Sequence, residues 1–541
     1  MMIRKHFSTL GLLLGTLFFA LSLTPSLLPR GEWVQGVISG LSMLAGYGCG
    51  VFLSWLWLYL GLAAPGYRLQ RVLQSVAALF CGLLAISFLI QANDWQNSVR
   101  SLMGMSEVDQ ARPWLVGGVA FAVFLLGLLL AKSFRLLLGG VSFLMQRLVP
   151  RRLSNLIGLV IAFVLFWAVI DGILFTSLLR SVDSSYQQVD ALIEPEMQPP
   201  GKPGQTGSEA SLLAWESLGR QGRNFVAGGP DQKDIQVFSE QQARQPVRVY
   251  VGLNAAETPE ERAELALEEL QRTGGFERSL LVLITPTGTG WIDPAAINTL
   301  EYLHQGDVAS VAAQYSYLPS PVSLMAEGAY GVETARALFQ AVYGYWQALP
   351  ESHRPELYLF GLSLGALNSD LSFDFYDIID DPFDGVLWSG PPFSSPTWQS
   401  VTQRREPDSP QWLPRFRDDS VVRFANQQGG LQTGEAPWGD FRIAFLQYAS
   451  DPVTFFSPDT LYREPEWMQS PRGPDVSPLL RWFPLVTMLQ LAADLGAGSA
   501  PDGYGHEYAA EDYLDAWMAL TRADERRNEL DIQRLRDFLQ Q

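Results

Sequence analysis

The sequence predicts a multi-span α-helical membrane domain followed by an α/β domain, in which helices cover both faces of a mostly parallel sheet. Long apolar runs fill the first 180 of the 541 residues. From Val247 onward, short apolar strands alternate with helical patterns, which is typical of a parallel sheet. One strand leads directly into the pentapeptide Gly361-Leu362-Ser363-Leu364-Gly365. We therefore expect a transmembrane domain at 1–180, a linker and pre-domain segment at 181–245, and an α/β domain at 246–541.

The two halves also differ in charge. Residues 1–180 hold 13 basic and 5 acidic residues, a balance of +8, and the remainder of the chain has a balance of −26. An acidic polar half argues against nucleic acid as a partner. Between the halves, residues 181–203 are polar and rich in proline, which indicates an extended tether.

Five apolar stretches are long enough to cross a bilayer, for which about 20 residues suffice. They are residues 7–23, 34–62, 72–90, 114–131 and 153–179. A further apolar segment, 136–149, contains Gly139-Gly140 and is bracketed by basic residues, which favours an interfacial or re-entrant helix. If this segment spans, the count becomes six and the orientation argued next inverts.

The basic residues predict the orientation. With five spans, nine lysines and arginines fall on the side of the N-terminus and three on the other. Because basic loops stay in the cytoplasm, we expect a multi-pass protein of the cell (inner) membrane, with everything after Arg180 on the periplasmic side. Arg4-Lys5 before the first apolar run also fits a cleaved signal peptide, which would leave four spans and the same orientation.

Three charged residues each have two interpretations. Asp171 lies in the fifth apolar run, where a carboxylate suggests a function, but its place near the outer end favours simple solvation at the interface. Arg220 and Arg223 could receive an anionic head group, although a solvated helix face is the favoured interpretation.

The α/β domain has well-marked elements. Strands are expected at 247–251, 279–285, 308–315, 356–360, 385–389 and 442–448, and helices at 293–302 and 325–349. A further helix begins at Thr258, because Thr258-Pro259-Glu260-Glu261 supplies an N-cap, a proline at the first helical position and a capping-box glutamate.

Ser363 is the candidate nucleophile. A G-x-S-x-G pentapeptide between a strand and a helix is a nucleophile elbow, in which the serine occupies a strained turn with its hydroxyl exposed. The pentapeptide alone is a weak signal, and the strand that precedes it supplies the structural context that the motif needs.

A serine hydroxyl needs a base, and the base needs a carboxylate to orient it. In chain order the acid and then the histidine follow the nucleophile. His506 is the one histidine after Ser363. Asp451, directly after the last clear strand, is the candidate acid, and Asp459 is the alternative.

The oxyanion formed on acyl transfer needs two donors. One is expected to be the backbone amide of Leu364, the residue after the nucleophile. The other is expected from Thr287 and Gly288 in the loop Thr285–Trp291, where glycines let backbone amides approach an anion. An ordinary glycine-rich turn is the alternative interpretation of this loop.

No cofactor or metal is expected. Both cysteines, Cys49 and Cys81, lie in the apolar half, and the chain has only 4 histidines, without metal-ligand spacing. The loop at Thr285–Trp291 also lacks the lysine of a nucleotide-binding P-loop.

The chain resembles a family of bacterial membrane-anchored α/β-hydrolases, in which a multi-span N-terminal domain is joined to a catalytic domain. The resemblance extends over nearly the whole chain. The strings that carry it, besides the elbow, are Leu218-Gly219-Arg220-Gln221-Gly222-Arg223, Thr285-Pro286-Thr287-Gly288-Thr289-Gly290-Trp291 and Gln314-Tyr315-Ser316-Tyr317-Leu318-Pro319. It implies a membrane-attached serine hydrolase fold and leaves the substrate open.

The sequence thus favours a serine hydrolase acting on an ester or acyl group of a lipid or lipid-linked substrate, because a tethered domain is held within reach of the bilayer. A non-catalytic scaffold or sensor is one alternative, and the complete set of serine, aspartate and histidine argues against it. A component of a membrane export system is another, and the lack of internal repeats argues against that.

Overall fold

The structure is a computed structural model that describes residues 8–63, 66–108, 112–146, 150, 159–165, 189–194, 197–432, 434, 436–523 and 527–540. The chain forms two compact units. The first comprises Met1–Ser181, Phe456–Ser470 and Asp475–Ala500, and the second comprises Val182–Phe455, Pro471–Pro474 and Pro501–Gln541. The boundary near Arg180 is where the composition changes, but two stretches of the polar half belong to the first unit.

The first unit is built on four apolar helices. They are α1 (Thr9–Ser22), α2 (Glu32–Tyr59), α3 (Tyr67–Leu102) and α4 (Pro113–Met145). Helices α2, α3 and α4 are long and apolar enough to cross a membrane. Helix α1 has 14 residues, which at 1.5 Å per residue gives about 21 Å, less than the roughly 30 Å of a hydrocarbon core.

Helix α4 is longer than the span predicted at 114–131. The segment expected as a separate interfacial helix, 136–149, instead continues α4 without a break through Gly139-Gly140 as far as Met145. A helix interior tolerates each glycine at a cost of about 1 kcal/mol, so this pair does not end the helix. Of the fifth expected span, residues 159–165 are helical, and the rest of 153–179, with Asp171, lies outside the described residues.

Small residues bring α1 and α2 into contact. A Cβ atom added at Gly46 would lie 2.4 Å from the carbonyl oxygen of Leu14, and one at Gly50 would lie 2.5 Å from that of Leu10. Glycines one turn apart let the backbones of membrane helices approach closely. The close packing of α1 on α2 therefore depends on these two positions.

The second unit is an α/β sandwich around a seven-stranded parallel sheet. The strand order is β1-β3-β2-β4-β5-β7-β6, with all neighbouring pairs parallel. The strands are β1 (Val247–Val251), β2 (Leu280–Thr285), β3 (Val308–Ala313), β4 (Glu356–Leu362), β5 (Gly385–Ser389), β6 (Val422–Ala425) and β7 (Arg442–Leu446). The expected parallel sheet is confirmed, and β6 is an edge strand that the sequence analysis missed.

The helices of the polar part of the chain follow in order. They are α5 (Gly219–Ala227), α6 (Gln232–Ser239), α7 (Pro259–Arg272), α8 (Pro294–Leu303), α9 (Ser320–Ala348), α10 (Leu364–Asp370), α11 (Phe375–Ile378), α12 (Pro396–Gln403), α13 (Pro452–Phe455), α14 (Val486–Ala497), α15 (Ala510–Thr521) and α16 (Glu529–Leu539). Two groups of helices pack together around the sheet: α7, α9 and α10 form one group, and α8, α15 and α16 form the other.

The capping box at α7 forms as the sequence predicts. The Glu261 amide donates to Thr258 Oγ1 at 3.2 Å, and the Thr258 amide donates to Glu261 Oε2 at 3.1 Å. These reciprocal bonds satisfy two amides that the start of a helix leaves without partners. Helix α7 therefore begins where local sequence alone places it.

The two arginines before β1 contact residues of the predicted tether. The Arg220 guanidinium pairs with Glu194 at 2.8 Å, and its amide donates to Asp190 Oδ1 at 3.0 Å. Arg223 is buried and donates to the carbonyl oxygens of Asp190 and Leu192. Arg223 is thus not on a solvated face, because it ties the end of the tether to α5.

Candidate active site

The elbow is strained as a nucleophile turn requires. Strand β4 ends immediately before Ser363, which has φ 58° and ψ −126°, and α10 begins at Leu364. A non-glycine residue in this region of φ/ψ space is held there by its surroundings. The Ser363 amide donates to the Ser389 carbonyl oxygen at 3.0 Å, so the elbow is fixed to the end of β5.

Both glycines of the pentapeptide are required by close contacts. A Cβ atom at Gly361 would lie 2.5 Å from the carbonyl oxygen of Gly365. One at Gly365 would lie 2.2 Å from the carbonyl oxygen of Thr285, at the end of β2. The motif therefore reflects how tightly the elbow packs on itself and on the neighbouring strand end.

The structure brings His506 and Asp451 together across 55 residues of chain. His506 Nδ1 lies 2.8 Å from Asp451 Oδ2. The Asp451 side chain is fully buried, and 26% of the His506 side chain is exposed. His506 Nε2 is buried and has no hydrogen-bond partner among the described residues. With Nδ1 donating to the carboxylate, Nε2 is left as the free acceptor that a general base needs.

Gly390 connects this pair to the elbow. A Cβ atom there would lie 2.6 Å from His506 Cε1 and 2.9 Å from Asp451 Oδ2. Gly390 directly follows Ser389, whose carbonyl oxygen holds the Ser363 amide. The Ser363 backbone and the His506–Asp451 pair therefore both adjoin the carboxyl end of β5, at the edge where parallel sheets place their sites.

Asp451 accepts more hydrogen bonds than the one from His506. Val453 donates its amide to Oδ1 at 2.8 Å, and the Tyr508 hydroxyl donates to Oδ2 at 2.7 Å. The sequence analysis missed Tyr508, whose closeness in sequence to His506 was the available signal. The alternative acid, Asp459, lies in the first unit, where the Tyr462 hydroxyl donates to it at 2.8 Å.

The surroundings favour the protonated form of His506. Burial lowers the pKa of this imidazole, but the charge of Asp451 and the hydrogen bond to it outweigh burial and raise the pKa above 6.5. The nearby carboxyls of Glu507 and Asp293 act in the same direction. Asp293 is itself buried, and burial raises its pKa to about 6.

The expected oxyanion loop lies beside the elbow, but two of its amides already have acceptors. The Thr287 amide donates to the Trp291 carbonyl oxygen at 3.0 Å, and the Gly288 amide donates to Ser320 Oγ at 3.2 Å. The amide of Leu364, the first residue of α10, has no acceptor within its helix. Leu364 thus remains the better placed donor, and Gly288 would have to leave Ser320 to join it.

Among the described residues, no group of three or more His, Cys, Asp or Glu side chains could hold a metal ion. A free acceptor nitrogen, an orienting carboxylate and a strained serine are the parts of an acyl-transfer site.

Comparison with known proteins agrees with the fold. The model of a family described as "Alpha/beta-hydrolase family" matches residues 247–535, more than half of the chain. A second model, "Alpha/beta-hydrolase family N-terminus", matches residues 23–230. No curated protein and no solved structure matches the chain. The chain belongs to this alpha/beta-hydrolase family.

Proposed function

We propose that the protein is a membrane-anchored serine hydrolase that acts on an ester or acyl group of a lipid or lipid-linked substrate. Ser363 is the nucleophile, His506 the general base and Asp451 the residue that orients the base. The observation that carries the proposal is His506, whose Nδ1 is held by Asp451 while its buried Nε2 has no partner among the described residues.

The reaction follows from these roles. His506 Nε2 takes the Ser363 proton as Oγ bonds to the substrate carbonyl carbon, and the Leu364 amide stabilises the oxyanion. The carbon–oxygen bond to the alcohol then breaks, and His506 returns the proton to the leaving oxygen. Water or a second alcohol attacks the acyl-serine by the same steps, which gives hydrolysis or acyl transfer respectively.

A lipid substrate is proposed because of the helices that share the chain. Helices α2, α3 and α4 are candidate spans, and a tethered catalytic unit meets bilayer substrates at a raised effective concentration. The positive-inside bias supports an extracytoplasmic position for this unit.

A fluorophosphonate probe tests the nucleophile. We expect the wild-type protein to be labelled, and Ser363→Ala and His506→Ala to lose labelling, since the probe needs an activated serine. Ser352→Ala and His353→Ala, at exposed positions, are matched controls that should label normally. An unlabelled wild-type protein, or labelling that persists in Ser363→Ala, would contradict the proposal.

A cysteine in place of Tyr376, which is 89% exposed, tests the orientation. With the native Cys49 and Cys81 changed to alanine, a membrane-impermeant maleimide should label this cysteine in intact cells. Labelling only after lysis would place the second unit in the cytoplasm.

A further inference from the structure

The chain between the candidate acid and the candidate base belongs mostly to the other unit. After Phe455 it leaves the second unit, and it returns for good at Pro501. Within the first unit, α14 (Val486–Ala497) packs on α1 and α2, and the 3-10 helix Pro458–Leu461 packs on α14. Residues 456–500 are called the intervening segment below.

Buried polar contacts fix α14 on the turn between α1 and α2. Arg30 Nε lies 2.9 Å from Asp494 Oδ1, and both side chains are fully buried. Asp494 also accepts from Ser26 Oγ and from the Leu27 amide. These hydrogen bonds offset part of the cost of taking the two charges out of water. Helix α14 is therefore part of the first unit.

This turn lies at one end of the apolar helices. Helix α2 begins at Glu32, whose Oε1 accepts the Arg112 amide at 2.9 Å, immediately before α4. The Arg30 amide donates to Gln96, in the polar end of α3, at 3.0 Å. Charged and polar groups gather where a span leaves the hydrocarbon. The part of the intervening segment that belongs to the first unit is therefore held at the polar end of these helices.

The segment also exposes apolar side chains. Leu461, Tyr462 and Leu479 are 37%, 67% and 48% exposed. The stretches around them adjoin, because the Leu485 amide donates to the Leu461 carbonyl oxygen at 3.0 Å. Trp482 joins the same two stretches by donating to the Thr460 carbonyl oxygen.

We propose that this surface, defined by Leu461, Tyr462 and Leu479, inserts into the headgroup region of the bilayer that holds α2, α3 and α4. Apolar and aromatic side chains beside arginine are typical of interfacial segments, and Arg463 and Arg481 are exposed in the same stretches. The proposal rests on the membrane anchoring proposed above. The intervening segment, which connects Asp451 to His506 along the chain, would then contact lipid.

Depth-dependent fluorescence quenching tests the insertion in the full chain. A single cysteine replaces Tyr462 or Leu479 in a protein whose Cys49 and Cys81 are alanine, and it carries an environment-sensitive dye in lipid nanodiscs. We expect blue-shifted emission and loss of fluorescence with lipids that carry a nitroxide near the headgroup. A dye at Leu83, exposed on α3, should instead be quenched best by a nitroxide deep in the acyl chain.

Two results together would overturn the proposal. They are emission at positions 462 and 479 that does not change with nitroxide lipids, and full quenching of that emission by a water-soluble quencher. Fluorophosphonate labelling of the same samples separates this result from failure of the catalytic proposal, because quenching needs no activity. If a dye disturbs packing, Tyr462→Asp with Leu479→Asp gives a second test. These changes should weaken activity on bilayer esters and leave fluorophosphonate labelling unchanged. If the variant and the wild-type protein were equally active on bilayer esters, the proposal would also be overturned.

Discussion

Tyr508 helps to set the environment of the candidate acid. Its hydroxyl donates to the same carboxylate oxygen as His506, and its ring stacks on Tyr448 with a centroid distance of 4.4 Å. No motif marks a hydroxyl that reaches Asp451 from 57 residues away, so sequence reasoning found the triad candidates and not this partner.

Tyr508→Phe should slow fluorophosphonate labelling by roughly ten- to a hundredfold, because a hydrogen bond to a charged group contributes about 1.5–3 kcal/mol and each 1.4 kcal/mol is about a factor of ten in rate. It should also raise the pKa of His506, since the Asp451 charge loses a donor. The labelling rate measured against pH reports both effects. Tyr504→Phe, in the same loop, is the control. If the labelling rate of Tyr508→Phe falls on acidification at the same pH as that of the wild-type protein, Tyr508 contributes only packing.

Fluorophosphonate labelling of the wild-type protein should fall as the pH is lowered, with a midpoint above 6.5. Burial lowers the pKa of His506, but Asp451 raises it further, and only the neutral imidazole accepts the serine proton. Activity is therefore full above the raised pKa and falls as pH drops through it. A midpoint below 6.5 in a rate profile would contradict this assignment.

At the scale of elements, the sequence predicts the helices and strands that local patterns determine. It does not predict the features that depend on contacts between distant parts of the chain. The capping box at Thr258 and the strands β1 and β5 are local, and they lie where the sequence placed them. Strand β6 has 4 residues, too few for a periodic pattern, and it forms because β7 pairs with it. The membership of α14 in the first unit depends on Arg30, which is distant in sequence.

The packing of α1 on α2 gives an element-scale prediction. Gly46→Ala places a Cβ atom 2.4 Å from the Leu14 carbonyl oxygen, so the helices must separate, at a cost of about 1–3 kcal/mol. We expect a lower Tm in detergent. Gly48→Ala, where nothing lies within 4 Å, is the matched control and should raise Tm slightly through helix propensity. Equal Tm values for the two variants would show that α1 does not pack in this way.

At the scale of the whole molecule, the chain of the second unit is interrupted by a segment that folds with the first unit. Residues 182–541 produced alone should aggregate or bind a hydrophobic dye, because α14 would lose α1 and α2 and Asp494 would lose Arg30. Supplying residues 1–181 as a separate chain in the same membrane should lower dye binding and restore fluorophosphonate labelling. A monomeric, fully labelled 182–541 fragment would contradict this expectation.

The buried pair of Arg30 and Asp494 has a consequence for the order of events during synthesis. Chains fold largely from the N-terminus as they emerge, so α1 to α4 and all seven strands precede the intervening segment, and His506 comes after it. The proposed nucleophile and acid are therefore made before the base. A nascent chain would therefore lack the proposed base until α14 and its docking partner, the α1–α2 turn, have both been made.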